Sequence, residues 1–335
     1  MYIFGMESSC DETSAAVIHA DEAGNLTIKS NIVASQVDVH RLYGGVVPEI
    51  ASRAHVEAVS RITREALDTA GITVSDLDCV AVTANPGLIG ALLVGVNFAK
   101  SFAYANKIPL VAVNHIHAHV GAAYLSHPGL RAPYIALVVS GGHTQFYRVD
   151  TDTDYTEIGG TRDDAAGEAF DKVGRVIGMP YPGGAALDKL AYEGDPKAYA
   201  LPSPALAGER PDFSFSGLKT AALNLINSAA QRGEEINMAD LAASYTATVV
   251  KGIVKQTEKV LQQTGTRVLV LAGGVAANSH LRRALEQLCR SHGVELVTPP
   301  ISLCGDNGAM VAAAGYFSFV AGERAGTDLN ASAYD

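Results

Sequence analysis

Cysteine is scarce: Cys10, Cys79, Cys289 and Cys304 are scattered and no two form a C-x-x-C pair. That excludes a disulfide framework and reads as the reduced thiols of a cytoplasmic protein. Long apolar runs are missing too. The longest, Gly87 to Val96, is too short to span a bilayer and is followed by Asn97 and Lys100. The opening Met1-Tyr-Ile-Phe-Gly-Met-Glu7 lacks the basic segment of a secretory signal. There is no surplus of positive charge. A net charge of −10 argues against broad, non-specific nucleic-acid binding, although a local basic patch or a partner can supply one. We therefore expect a soluble cytoplasmic protein, with neither membrane nor DNA as a partner.

What is present describes a well-buried chain: 48% hydrophobic and 18% charged residues. At 335 residues it exceeds the usual size of one hydrophobic core, so two domains are expected. Apolar periodicity gives three strands, then helix, strand, helix, strand, helix, and after a connector at 127–133 the same order again. Tyr2-Ile3 recurs as Tyr134-Ile135 and Ser8 as Ser140, both 132 residues on. This repeat predicts an α/β fold of two ribonuclease-H-like domains, the duplicated architecture of actin-like, Hsp70-like and sugar-kinase-like (ASKHA) proteins. The expected boundaries are 1–130 and 131–305, with an insertion of short helices at about 181–237. The last helix, 306–322, should pack back on the first domain. Such a fold places a nucleotide between its halves, but does not by itself supply an activity.

Chemistry concentrates at Asn114-His115-Ile116-His117-Ala118-His119, where an apolar strand runs into a periodic segment. In a helix His115 and His119 lie one turn apart on one face and His117 on the other. Two imidazoles so spaced can grip a cation, as in H-E-x-x-H metalloproteases, but Ile116 stands where their general base would be. The plain alternative is histidines that satisfy polar groups of the core. Asp306 opens the last helix, where its ordinary role is an N-cap. As a third ligand it would give two His and a carboxylate with open positions, suited to polarising a carbonyl.

Two glycine elements suit a nucleotide. Ser140-Gly141-Gly142 can bring backbone amides close to a phosphate, and Gly273-Gly274 with Asn278 can seat an adenosine; each can equally be a tight joint. Asp11 and Glu12, in the corresponding first turn, would repel phosphate unless a cation intervenes. Asp171 can bond a ribose hydroxyl, and Gly184 with Asp188 can hold a further substrate group. Their bland readings are a solvated helix start and a helix cap.

Taken together and in order, Met6 to Thr13, Tyr43 to Arg53 with His55, Asn114 to His119, Val139 to Gln145, Asp163 to Lys172, Asp212 to Thr220 and Gly273 to Asn278 closely resemble the bacterial TsaD family. These are tRNA N6-adenosine threonylcarbamoyltransferases, formerly labelled O-sialoglycoprotein endopeptidases. The resemblance implies an acyltransferase of tRNA modification. It would move the threonylcarbamoyl group of threonylcarbamoyl-adenylate to N6 of the adenosine beside the anticodon, in tRNAs reading codons that begin with A, and release AMP. It implies a divalent ion, Fe2+ or Zn2+, on His115, His119 and Asp306. Its adenylate contacts fall on Val138, Val139, Ser140, Gly141, Gly142, Asp171, Gly184, Asp188 and Asn278, so an AMP- or ATP-like nucleotide is expected there. Archaeal and eukaryotic relatives have a metal-site Tyr where this chain has Val139, and an Asn where it has His143. Asp11 or Glu12 would deprotonate or orient the attacking amine. The implied partners are tRNA, a TsaB-like paralogue and a TsaE-like ATPase. The rival activities are a metalloprotease and a small-molecule kinase or ATPase of the same fold.

Overall fold

The computed structural model describes residues Met1–Tyr334. The first sheet is laid down by β1 (Tyr2–Glu7), β2 (Glu12–Ala20) and β3 (Leu26–Ser35), each antiparallel to its neighbour in sequence. After the short α1 (Val37–Arg41) comes the long α2 (Pro48–Ala70). Its Pro48 suits a first helical turn, and Gly71 at φ 69° ends it in the left-handed conformation that glycine adopts at little cost. Then follow β4 (Cys79–Asn85), α3 (Ile89–Asn106), β5 (Leu110–Asn114) and α4 (His115–Gly121). β4 and β5 add in parallel, so the strand order is β3-β2-β1-β4-β5.

The second sheet repeats this plan with β6 (Tyr134–Val139), β7 (Thr144–Thr151) and β8 (Asp154–Gly160). The helices α5 (Ala166–Val176), α6 (Gly183–Leu190), α7 (Ser216–Arg232) and α8 (Met238–Thr264) follow. β9 (Val268–Ala272), α9 (Ser279–His292) and β10 (Glu295–Val297) complete it, and α10 (Gly308–Val320) ends the helical chain. The order is β8-β7-β6-β9-β10, with β6, β9 and β10 parallel: the first sheet's order, strand for strand. β1 and β6 start 132 residues apart, as do β2 and β7. The chain is a duplicated ribonuclease-H-like α/β protein.

Contacts divide the chain into two compact units: Met1–Pro133, Val149–Tyr155 and everything from Pro299 onward, and then Tyr134–Arg148 with Thr156–Thr298. This differs from the expected division at 131–133, 149–155 and 299–305. In the first unit Phe4, Met6 and Val17 of the sheet pack on Ile62 and Ala66 of α2 and on Val96 and Ala99 of α3. Each large side chain so buried contributes about 1.5–3 kcal/mol.

Helix α10 packs on the opposite side, against β1, β2, β4, β5 and α4. It lies close enough that a methyl group on Gly5 would overlap the Gly308 carbonyl, and one on Gly315 would overlap Ala81. The return of the last helix to the first sheet brings residue 306 beside residues 115–119.

Three expectations need correction. Glu12 and Thr13 are not turn residues but begin β2, paired with Ser35 and Ala34; next to them the Ser14 hydroxyl donates to the Ile32 carbonyl (2.7 Å). The segment 181–237 is not made of short helices only, since α7 has 17 residues. The last helix starts at Gly308, not at Asp306.

Candidate metal centre and nucleotide turn

At the carboxyl edge of the first sheet the parallel strands β1, β4 and β5 end side by side, where α/β sheets collect their working residues. β5 ends at Asn114, whose side chain accepts from the amides of Ile116 (2.8 Å) and His117 (3.1 Å) and so starts α4 at once. The turn places His115 and His119 on one face, ring centroids 4.7 Å apart at 71°. His117 leaves that face and stacks on Tyr155, 3.9 Å between centroids.

Asp306 completes the cluster, and it is not a helix cap. Asn307 caps α10, accepting from the Met310 amide (3.0 Å). The next free amides go to side chains of the sheet, Gly308 to Ser14 Oγ (2.7 Å) and Ala309 to Asn31 Oδ1 (3.3 Å). With the capping duty taken by its neighbours, the Asp306 carboxylate turns to the imidazoles. Its Oδ1 lies 3.3 Å from His119 Nε2 and 3.7 Å from His115 Nε2.

One ligand atom from each of the three residues falls within 4.8 Å of the others. Neither ring nitrogen of the buried His119 makes a hydrogen bond, despite the carboxylate nearby. A buried donor or acceptor left so costs about 1–3 kcal/mol. A cation between the three groups removes that cost for the ring nitrogen that faces it. Two imidazoles and a carboxylate are the donor set of a divalent transition metal with open positions.

Behind His115 stands Glu7, fully buried at the end of β1. Its Oε2 lies 3.1 Å from His115 Nδ1 and accepts from the Thr83 hydroxyl (2.7 Å), and its Oε1 accepts from the Ser9 amide (2.5 Å). Burial pushes this carboxyl up, but the charge and hydrogen bond of His115 and the Thr83 hydroxyl outweigh it, and it stays below its ordinary range. Glu7 was not among the expected site residues. The available signal was a lone carboxylate ending an otherwise apolar strand, a residue type almost never fully buried unless paired.

The turn between β1 and β2 is held from several sides. Buried His55 on α2 reaches the Cys10 carbonyl with Nε2 (2.8 Å) and the Thr13 hydroxyl with Nδ1 (2.7 Å). A ring nitrogen facing a carbonyl must carry the proton, so Nε2–H donates; in the neutral ring Nδ1 then accepts from Thr13. Burial lowers the His55 pKa, in agreement. The Gln36 amide donates to the Asp11 carbonyl (2.9 Å), and the Ser35 hydroxyl to Glu12 (3.1 Å). Asp11 is buried. Burial, then the charges of Asp306 and Asp11, push Glu12 up to about 9. At neutral pH Glu12 thus keeps its proton in this charge set, and a cation beside Asp306 would draw it back down. Cys10 is raised by burial and then by Asp11 and Asp306, which leaves it a poor nucleophile.

The second unit holds the residues expected to meet a nucleotide. Val138 and Val139 end β6 with fully buried side chains, so only their backbone can face a ligand. In the turn that follows, the Ser140 amide donates to the His143 carbonyl (2.7 Å), and Ser140 Oγ accepts from the His143 amide (3.1 Å). Around Gly141 and Gly142 there is open space. The Gly167 amide of α5 donates to the Ser140 carbonyl (3.1 Å), and a methyl on Gly167 would stand 2.5 Å from that oxygen, so the start of α5 abuts the turn. Gly273, at φ 94°, is pressed against the Val139 backbone, where a side chain would collide.

Asp171 Oδ1 accepts from the Gly184 amide in the first turn of α6 (3.0 Å), which brings those two expected residues together. Asp188 and Asn278 both meet the start of α9. Asp188 accepts from the Ser279 amide (3.1 Å) and faces His280 Nδ1 (2.9 Å), and Asn278 accepts from the Leu281 amide (2.9 Å). Asn278 is thus a helix cap in addition to anything else it does.

Among the described residues no helix is long and apolar enough to cross a membrane. None of the four cysteines forms a disulfide.

Comparison with solved structures finds the fold in otherwise distant proteins. Full-length HypF aligns over 100% of this chain at a TM-score of 0.62 and 16% identity, the chain spanning 47% of that protein. Component A of the Acidaminococcus fermentans (R)-2-hydroxyglutaryl-CoA dehydratase aligns over 96% of this chain and 98% of its own length, with a TM-score of 0.55 and 15% identity. At the level of sequence the likeness is far closer. The chain is 52% identical over 333 residues to the tRNA N6-adenosine threonylcarbamoyltransferase of Geobacillus thermodenitrificans, covering 99% of this chain and 96% of the relative. It is 47% identical over 329 residues to that of Clostridium botulinum, covering 98% and 96%. The family model described as "TsaD: tRNA N6-adenosine threonylcarbamoyltransferase" matches residues 27–313, and the chain belongs to that family.

Proposed function

We propose that this protein transfers the threonylcarbamoyl group of threonylcarbamoyl-adenylate to N6 of the adenosine beside the anticodon, in tRNAs reading codons that begin with A, releasing AMP. Membership of the family supports the activity. The observation that carries the chemistry is the cluster of His115, His119 and Asp306, with both nitrogens of buried His119 left without a hydrogen bond. These three residues would hold one divalent ion, Fe2+ or Zn2+. When bound, the ion supplies a Lewis acid for the carbamoyl carbonyl under attack.

The rest falls to the chain's own groups. The backbone of Val138 to Gly142 takes the adenylate phosphate, with amides that no side chain crowds at Gly141 and Gly142. The start of α5, an 11-residue helix, adds its positive end behind that turn. Asp171 and Gly184 bind the ribose side of the nucleotide, while Asp188 and Asn278 face the adenosine. Asp11 and Glu12 orient the attacking amine or take its proton. Both lie in the turn that adjoins the ion site, Asp11 buried and Glu12 held by the Ser35 hydroxyl.

The protease reading is not favoured, since Ile116, where a zincin's base would stand, is apolar and fully buried. The net charge of −10 supports leaving part of tRNA capture to partners, a TsaB-like paralogue and a TsaE-like ATPase. Four cysteines outside any disulfide support a cytoplasmic setting. We assign the ion site to the unit of Met1–Pro133, Val149–Tyr155 and the segment from Pro299, and the nucleotide to the unit of Tyr134–Arg148 and Thr156–Thr298.

The deciding experiment is reconstitution with threonylcarbamoyl-adenylate and tRNA, comparing the wild-type chain with His115→Ala. Loss of a Lewis acid worth several kcal/mol should cut the rate by about 100-fold or more. Transfer by His115→Ala at the wild-type rate would refute the role of the ion.

A further inference from the structure

We propose that Glu7 is the positioning residue of the triad: it fixes which ring nitrogen of His115 is offered to a cation. The proposal rests on the reading of His115, His119 and Asp306 as an ion site. It adds a residue outside the three and a definite proton.

Around the Glu7 carboxylate, donors converge. The Ser9 amide points at Oε1, the Thr83 hydroxyl at Oε2, and the third group within reach, at 3.1 Å from Oε2, is His115 Nδ1. An ionised carboxylate only accepts, so His115 must present N–H there. Ser9 Oγ, 3.1 Å from the same nitrogen, can accept from it as well. With Nδ1 carrying the proton, Nε2 is left as a lone pair, and Nε2 is the nitrogen 3.7 Å from Asp306.

A lone pair facing a carboxylate is repulsive, and a cation set between them turns the contact attractive. The order carboxylate, imidazole, cation is the arrangement by which a partner behind a ligating histidine fixes its tautomer and raises its basicity. Glu7 and Thr83 come from the neighbouring parallel strands β1 and β4, and Glu7 is fully buried. The proton on His115 is thereby dictated by the sheet, 108 residues away in sequence.

His119 has no counterpart to Glu7. Both its ring nitrogens lack hydrogen-bond partners among the described residues. The tautomer of His115 is fixed by Glu7, and that of His119 is fixed by no such hydrogen bond. Glu7 should therefore matter to affinity through His115 alone.

The test is Zn2+ affinity of the full chain, measured by competition with a chromogenic chelator, for wild type, Glu7→Gln and His119→Ala. We expect Glu7→Gln to weaken Zn2+ binding about 10–100-fold, the usual effect of removing a partner behind a ligand. His119→Ala should abolish stoichiometric binding. Because a buried glutamine NH2 would meet the Ser9 amide or the His115 Nδ1–H head-on and Glu7→Gln can fail to fold, a second measurement uses the wild-type protein. In the Zn2+-loaded, 15N-histidine-labelled chain, His115 should show a slowly exchanging proton on Nδ1. Wild-type affinity in His119→Ala would overturn the ion site and with it the proposal. Loss in His119→Ala, combined with either unchanged affinity in Glu7→Gln or a His115 Nδ1 without a protected proton, would overturn the role of Glu7 alone.

Discussion

The turn after β1 and the turn after β6 occupy the same place in two sheets of identical strand order, yet they are built in opposite ways. The first is crowded. Ser8 Oγ is tied to the Ala91 carbonyl (3.0 Å), and methyl groups on Gly87 or Gly95 would run into Ser9 or Ser8. Cys10, Asp11 and Thr13 are each gripped by α2 or by the residues that follow β3. The second is bare where it matters, with open space around Gly141 and Gly142. The crowded turn carries acids and adjoins imidazoles, a setting for a cation. The bare turn offers amides and a helix start, a setting for an anion. Duplication supplied one scaffold, and the difference in side chains suits its copies to ligands of opposite charge.

The most forceful way to break the comparison is to exchange what supports each sheet from below. Position 5 in β1 is glycine, and its repeat in β6, 132 residues on, is the fully buried Leu137. α10 lies so close on β1 that a methyl at position 5 meets backbone atoms of Gly308 and Ala312, which cannot rotate away. Gly5→Ala should therefore cost about 3 kcal/mol or more, at the upper end of overpacking. Leu137→Ala removes packing instead, and should cost about 2–5 kcal/mol through the cavity it leaves. Urea denaturation of both variants checks the pair. Gly5→Ala alone should also weaken Zn2+ binding, since Asp306 lies two residues before the displaced helix. Equal effects on Zn2+ would mean that the helix contact does not place the carboxylate.

Much of this organisation was legible in the sequence. Apolar runs such as Tyr134 to Val139 are buried at every residue, and Gly71 and Gly265 stop α2 and α8 in left-handed conformations. The i, i+4 spacing of His115 and His119 needed only the helix to become a shared face. Asp306 was ambiguous because an Asp at a helix start is normally its cap. Asn307, an equally good cap one residue later, took that role, and the Asp faces the imidazoles instead. What local patterns could not carry were contacts of long range. The bond from the Gly308 amide to Ser14 spans 294 residues, and Thr83 to Glu7 spans 76. Glu7 stood inside a motif already singled out, but nothing near it in sequence names its partners.

A gentler probe sharpens the anion half of the comparison. Gly141→Ala meets no neighbouring atom and needs no left-handed backbone, so stability should change by no more than about 0.5 kcal/mol. The methyl would stand where a phosphate must approach the amides, and AMP affinity, read by calorimetry, should fall by roughly tenfold, or about 1.4 kcal/mol. Unchanged AMP binding would mean that this turn cradles no phosphate and that the space around Gly141 is merely solvent.

The smallest expected effect tests the cation half through pH. His55 holds the crowded turn in its neutral form, accepting from Thr13 and donating to Cys10. Burial lowers its pKa in the folded chain below the ordinary value of 6.5. The unfolded chain therefore takes up a proton on His55 first as pH falls. The stability this neutral ring contributes is complete above pH 6.5 and drains away below it, toward the lower folded pKa. His55→Gln keeps a donor and an acceptor without a titrating ring. Its thermal midpoint, compared with wild type from pH 7.5 down to 5, should decline less steeply below about pH 6.5. Parallel declines would place the acid sensitivity elsewhere and leave His55 as packing, with the turn that bears Asp11 and Glu12 held by Gln36 and Ser35 instead.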